Sequence, residues 1–233
     1  MCDRFSLALP KEKIARRFNV KITQALEANY NISPGTIIAV IADNKPDHLQ
    51  TATWGMLMNE GSKINKPKQT HTLHTSVLQH PKQTALMQLL QTQRCLIPAD
   101  GFYVWKKVSR KGKVPYRVAL KWNLPFAFAA IWNYENQASG YAYTCAILTT
   151  ASNDTLRPLY QTMPVILPIE SEKLWLNHNT PTEAILQMLR SYPGEQMNFF
   201  SVSTKINSPT FNSPLLLEAS QPIDQFGNYM MFD

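Results

Sequence analysis

The chain has 233 residues, 44% of them apolar and 10% aromatic, with only 17% charged and a net charge of +7. That composition supports a buried core and argues against disorder. No apolar run approaches the ~20 residues of a membrane helix, and Phe5 to Leu9 is shorter than the ~7–15 residues of a signal-peptide core. The chain therefore reads as one soluble, cytoplasmic domain spanning residues 1–233.

The elements follow in chain order. Ile14, Phe18 and Ile22 recur at helical spacing behind Pro10 and predict a helix over 11–27. Tyr30 to Gly35 reads as a turn, and the β-branched run Thr36 to Ala42 as a buried strand. Residues 71–92 read as helical with an interruption at Pro81. Strands are expected at Arg94–Ile97, Phe102–Trp105, Pro115–Leu120, Phe126–Trp132 and Tyr141–Thr149, then at Met163–Leu167 and Phe199–Val202. Short helices are expected at Ser171–Asn177 and from Thr180-Pro181 to about Ser191, where Pro suits the first helical turn. Strands outnumber helices, so the fold class is α+β: a β-rich domain with a curved, barrel-like antiparallel sheet core and peripheral helices.

Charge is unevenly placed. Residues 1–60 carry a net +1, residues 61–125 a net +11, and residues 126–233 a net −5. A basic middle third suits a phosphate backbone, and equally suits a lysine-rich solvated surface. Lys63, Lys66 and Lys68 form one cluster. Lys106, Lys107, Arg110, Lys111 and Lys113 form another, directly after Phe102, Tyr103 and Trp105. Aromatic rings beside cations fit single-stranded nucleic acid, where bases stack and phosphates are neutralised. A hairpin tip of solvated lysines has the same signature.

Three cysteines, Cys2, Cys95 and Cys145, are odd in number and widely spaced, which disfavours a disulfide framework or a zinc site. Cys95 and Cys145 lie in apolar runs and read as core thiols. Cys2 differs. Removal of Met1 would leave an α-amine and a thiol on one carbon skeleton. The amine condenses with an aldehyde, and the thiolate then closes a thiazolidine ring. An α-amine titrates near ~7.7–8.0, so a useful fraction is nucleophilic at neutral pH, and a nearby cation such as Arg4 favours the thiolate.

Met1-Cys2-Asp3-Arg4-Phe5 resembles the Met-Cys-Gly-Arg-Phe opening of the SRAP family, the SOS-response-associated peptidase or abasic site processing proteins. Further blocks resemble the family in order: Tyr30 to Thr36, Trp54-Gly55, Ile64-Asn65 with Thr70, and Arg94 to Trp105. Ala130-Ile131-Trp132, Thr149 to Asn153, Met163 to Leu167, and Val202-Ser203 with Asn207 and Pro214 continue the series. The resemblance implies binding of single-stranded DNA with an abasic site. It also implies covalent capture of the sugar aldehyde by the N-terminal Cys2, and self-removal of Met1.

The departures fall on the implied site. Val104 stands where the family has a proton-shuttling Glu, and Tyr160 where it has a His. Thr162 replaces an Arg, Asp3 a Gly, and Lys66, Pro67 and Gln69 an Ala, an Arg and a Glu. By resemblance the catalytic positions are Cys2, Asn65, Val104 and Tyr160. The expected DNA-binding residues are Arg4, Lys63, Lys66, Lys68, Trp105, Lys106 and Lys107. Cys2 is expected in a pocket with Asn65, Val104 and Tyr160, and Lys63, Lys66, Lys68, Lys106 and Lys107 along one groove. The enzyme reading is an SRAP-type autopeptidase and lesion cross-linker, impaired by the two replacements. The alternative is a non-covalent single-stranded-DNA-binding module on the same fold. A peptidase acting on other proteins fits least, since no matched motif supplies a His to activate Cys2. The expected partner is single-stranded DNA with abasic sites, bound by a monomer without membrane, metal or cofactor. His71, His74 and His80 lack the neighbouring carboxylate or Cys that a metal site needs, and His48 and His178 are isolated. Trp132 and Trp175 read as core residues, and Asn207 as a turn cap.

Overall fold

The computed structural model describes residues 3–60, 68–72, 74–75, 84–137 and 140–229. Its strands begin with β1 (Arg4–Leu7), β2 (Asn29–Ile32), β3 (Ile37–Ala42), β4 (Gln50–Trp54), β5 (Met56–Glu60), β6 (Lys68–Thr72) and β7 (His74–Thr75). They continue with β8 (Arg94–Ala99), β9 (Gly101–Lys107), β10 (Lys113–Leu120), β11 (Phe126–Gln137) and β12 (Gly140–Ala151). Last come β13 (Thr162–Pro164), β14 (Ile166–Leu167) and β15 (Met197–Ser201). The helices are α1 (Lys11–Phe18), α2 (Thr84–Thr92), α3 (Ile169–Leu176) and α4 (Thr182–Gln187).

The architecture is α+β around a closed ring. Strands β12, β4, β3, β8 and β11 pair in that order, and β11 pairs back to β12. All these pairs are antiparallel except the seam, where β4 runs parallel to β12 with Thr144 opposite Thr53 and Cys145 opposite Trp54. The run Met163 to Leu167 divides at Val165. Its first part pairs with β12 and its second with β11, while Val165 itself donates to Leu148 O and accepts from Ala129 N. A second sheet runs β15-β10-β9-β1-β2.

Aromatic rings join the two sheets. Phe5 from β1 lies edge-on to Trp54 at 5.1 Å and to Phe128 at 5.7 Å between centroids. Phe102 from β9 meets Phe128 at 6.0 Å. Such pairs add to the stabilisation from area burial, by about 0.5–1.5 kcal/mol each. Cys95, Cys145 and Trp175 are fully buried in this core. Trp132 is not: it is half-buried, donates its indole N–H to Asp43 Oδ1 at 2.8 Å, and lies 5.2 Å from the Tyr143 ring. A tryptophan can lie beneath a sheet face and still satisfy its N–H, which apolar neighbours in the sequence do not reveal.

Two helix expectations change. The first helix stops at Phe18 because Asn19 takes the left-handed conformation at φ 52°, which Asn tolerates and which ends a helix. Ile22, the third member of the helical pattern, packs against the core from irregular backbone. Within 71–92, only Thr84–Thr92 is helical, and residues up to Thr75 belong to strands β6 and β7. Thr70, Thr72 and Thr75 are β-branched and favour the extended chain. His71 and His74 therefore lie on two separate strands, β6 and β7, and not on one helix.

Arg94 ties the helices to the ring. It is 1% exposed. Its guanidinium donates to Leu90 O and Gln91 O in α2, and to Trp175 O and Asn177 O at the end of α3. One cation thus satisfies carbonyls at two helix C-termini, where helices leave acceptors unmade and the dipole is negative.

Candidate nucleic-acid interface

Side chains alternate along β9. Phe102 and Val104 enter the main core, while Tyr103 and Trp105 face a smaller cluster with Val202, Ile206 and Leu216. The period of two places Lys107 with Trp105 and turns Lys106 the other way. Register then sets neighbours on the Trp105 face: Arg4 of β1 opposite Tyr103, and Lys113 of β10 opposite Lys107.

On that face lies a cavity of about 780 Å³. Arg4, Trp105, Lys107 and Tyr160 line it, together with Arg110 and Lys113 from the β9–β10 hairpin. Asp3, Asn207 and Gln225 complete the wall. Four cations face one carboxylate, and an indole and a phenol lie among them. The tight turn that displays Arg110 and Lys111 is closed by Val108 N and Ser109 N donating to Gly112 O, and by Gly112 N donating to Ser109 Oγ at 2.7 Å.

Hydrogen bonds hold several of the wall residues. Trp105 donates its indole N–H to Asn207 Oδ1 at 2.8 Å, so Asn207 fixes the ring and is not merely a turn cap. Asn207 ends a short 3-10 helix, Thr204–Asn207, which the residue order around Val202-Ser203 gave no sign of bringing to Trp105. Tyr160 sits at the close of a turn in which Leu156 N donates to Asn153 Oδ1 at 2.9 Å and Tyr160 N donates to Leu156 O at 2.9 Å. Arg4 Nη1 donates to Asp3 O at 2.8 Å. Burial lowers the pKa of Arg4 from its ordinary value, partly offset by Asp3.

Beneath Arg4 and Tyr103 runs a buried polar network. Ser6 Oγ donates to Asp100 Oδ1 at 2.5 Å, and Ala8 N donates to Asp100 Oδ2 at 2.5 Å. Arg117 completes the charge balance at 3.2 Å from Asp100 Oδ1, both side chains almost wholly buried. Gly101 makes room for it, since a Cβ there would lie 2.6 Å from Arg117 Nη2. Tyr103 Oη donates to Tyr30 O at 2.8 Å. Burial pushes the Tyr103 phenol up to about 12. The sole acidic residue of the basic middle third, Asp100, is thus consumed inside the sheet.

Of the residues expected from sequence, the structure gathers Arg4, Trp105, Lys107 and Tyr160 at one cavity. Val104 is 3% exposed and packs in the main core. Lys106 shares Val104's side of the strand. Lys68 belongs to β6. Cys2, Lys63, Asn65 and Lys66 lie outside the described residues. Arg110 and Lys113, members of the hairpin cluster, take the place on the cavity wall that Lys106 was expected to hold. Among the described residues, no cluster of three or more His, Cys, Asp or Glu could hold a metal ion.

The chain and its fold belong to a known class. Residues 1–209 match the family model for SOS response associated peptidase (SRAP). The chain is 35% identical over 229 residues to the abasic site processing protein YoqW of Bacillus subtilis, covering 94% of this chain and all of that one. It is 34% identical over 227 residues to the abasic site processing protein YoaM of the same organism, covering 94% and 98%. A crystal structure of a Bacteroides thetaiotaomicron protein shares the fold with a TM-score of 0.80 at 20% identity, over 94% of this chain and 100% of that one. The chain is a member of the SRAP family.

Proposed function

We propose that this protein processes abasic sites in single-stranded DNA and captures them covalently through Cys2 once Met1 is removed. The observation that carries the reading is the placement of the cationic, aromatic cavity at the start of β1, where Asp3 and Arg4, the two residues after Cys2, form part of its wall. The names of these relatives, abasic site processing proteins, support the same lesion.

The proposed chemistry follows from the groups present. Arg4, Lys107, Arg110 and Lys113 neutralise phosphates along a strand, and Trp105 and Tyr160 offer ring faces for unpaired bases. The ring-opened abasic sugar presents an aldehyde. The α-amine of Cys2 adds to its carbon, and loss of water gives an imine. The thiolate then attacks that carbon and the nitrogen takes a proton, closing a thiazolidine with net release of one water. The amine and thiol supply both nucleophiles, so the cavity contributes mainly proximity, a term that reaches several kcal/mol. Val104 is buried in the core away from the cavity, and Asp3 carries the one carboxyl among the described lining residues. Capture is therefore slow relative to a site with a dedicated proton shuttle; general acid–base help is worth about 10²–10⁴-fold. The protein acts as a cytoplasmic monomer in this reading.

A second reading, non-covalent binding alone, is favoured by the chemistry of the wall. Asp3 and Tyr160 are the only groups besides the cations that ionise there among the described lining residues. A denaturing gel with a labelled abasic oligonucleotide separates the two. The covalent reading expects a slow, heat-stable shifted band for Met1-free protein and none for Cys2→Ala. Binding without any such band favours the second.

A further inference from the structure

The family match ends at residue 209, yet the chain beyond it returns to the cavity. Phe211 O accepts from Asn31 Nδ2, Leu216 O from Tyr103 Oη, and Ser220 pairs with Ser201 through two bonds. The segment ends in a small hairpin in which Ile223 bridges Tyr229. Asp224 caps that hairpin, accepting from Phe226 N and Asn228 N at 2.9 Å each, and Gly227 turns it at φ 87°.

The hairpin projects Gln225 at the one stretch of β10 that lacks a strand partner on its outer edge. Strand β15 covers β10 only from Tyr116 to Leu120, and Pro115 has no N–H to offer. Past that point the Gln225 side-chain amide takes the strand's place. Its Oε1 accepts from Lys113 N at 2.7 Å, and its Nε2 donates to Lys111 O at 2.7 Å. This is the paired donor and acceptor that a neighbouring strand would give.

We infer that Gln225 is a positioning residue that orders the Arg110–Lys113 hairpin for nucleic-acid binding, making this segment outside the family match a working part of the interface. The inference rests on the proposed DNA-binding role of the cavity. Gln225 acts through the backbone groups of Lys111 and Lys113, so direct contact between its neutral amide and DNA is not required. An ordered hairpin presents Arg110 and Lys113 without first losing chain entropy, which is the advantage of preorganisation.

The test compares full-length wild type, Gln225→Met, which keeps the size and loses both bonds, and Gln221→Ala, an exposed change in the same segment away from the hairpin. Amide exchange is read at Lys113 in the free protein, and the affinity for an undamaged single-stranded oligonucleotide is read across a salt series. Gln225→Met is expected to speed Lys113 exchange by roughly tenfold. It is also expected to weaken binding by about threefold to tenfold and reduce the salt slope by about one unit, with the melting temperature nearly unchanged. Gln221→Ala is expected to match wild type. Unchanged exchange at Lys113, or faster exchange with unchanged affinity and slope, overturns the inference while leaving the DNA-binding reading intact. A wild type that binds no single-stranded DNA at any salt overturns that reading and, with it, the role assigned to Gln225.

Discussion

The Trp105 indole N–H donates to Asn207 Oδ1 at 2.8 Å, and this bond joins strand β9 to a 3-10 turn more than a hundred residues later. It sets the plane of the one indole on the cavity wall. Trp105→Ala is expected to weaken binding of single-stranded DNA by about tenfold, the scale of one lost base stack. Asn207→Ala is expected to lose about threefold, with a global stability cost of about 1 kcal/mol. Fluorescence titration of the wild type and the two variants checks the order of effects.

Phosphate contacts set the salt dependence. Four cations line the cavity among the described residues, so their contribution to the slope of log affinity against log salt is expected near about −3 on a single strand. Lys107→Ala and Lys113→Ala are each expected to lower its magnitude by less than one unit, and Lys106→Ala to leave it unchanged. A Lys106→Ala effect as large as that of Lys107→Ala would contradict the assignment of strand faces.

Val104 is buried among apolar side chains. Val104→Glu is expected to destabilise the fold by about 2–4 kcal/mol near neutral pH, because burial disfavours the charged carboxylate. Burial raises the folded-state pKa of such a carboxyl above its unfolded value. The fold is therefore expected to be penalised less below about pH 4, where both states are protonated, and more as pH rises. Chemical denaturation at acid and neutral pH reads this directly.

Tyr103 gives an opposite end of the pH scale. Its phenol is raised from 10.0 to about 12 by burial. The neutral form stabilises the folded state fully below about pH 10, and that contribution is lost as pH climbs towards 12. Tyr103→Phe is expected to flatten the fall in stability across this window while costing about 1 kcal/mol at pH 7, since Tyr30 O loses its donor. Tyr116, Tyr192 and the buried thiols Cys95 and Cys145, all raised by burial, contribute to the residual slope.

The buried ion pair beside the site is sensitive to volume. Gly101→Ala would place a Cβ 2.6 Å from Arg117 Nη2 and is expected to cost about 1–3 kcal/mol. Arg117→Met leaves the Asp100 carboxylate buried without its cation and is expected to cost about 3–5 kcal/mol. Urea denaturation of both variants gives the ordering.

Much of the fold was legible in residue order. The strand runs from Arg94 to Thr149 carry β-branched and aromatic residues that suit only extended, buried chain, and those strands form where expected. Asn19 shows the limit on the other side: a single left-handed residue ended a helix that hydrophobic spacing carried on to Ile22. The parallel seam between Thr53 and Thr144 has no local signal, because ring closure is set by distant register and not by composition. At the site, the residues Arg4, Trp105 and Lys107 were legible because a family motif and a charge cluster coincide there. Asn207 and Gln225 were not, because each acts across about a hundred residues through one or two hydrogen bonds.

The central claim is the covalent capture of an abasic sugar by Cys2, and intact mass spectrometry of Met1-free protein incubated with an abasic single-stranded oligonucleotide tests it most directly. The account predicts a species whose mass is that of protein plus oligonucleotide less one water, with fragmentation placing the link on Cys2 and no such species for Cys2→Ala. Protein that binds the oligonucleotide through long incubation yet shows only its unmodified mass would contradict it.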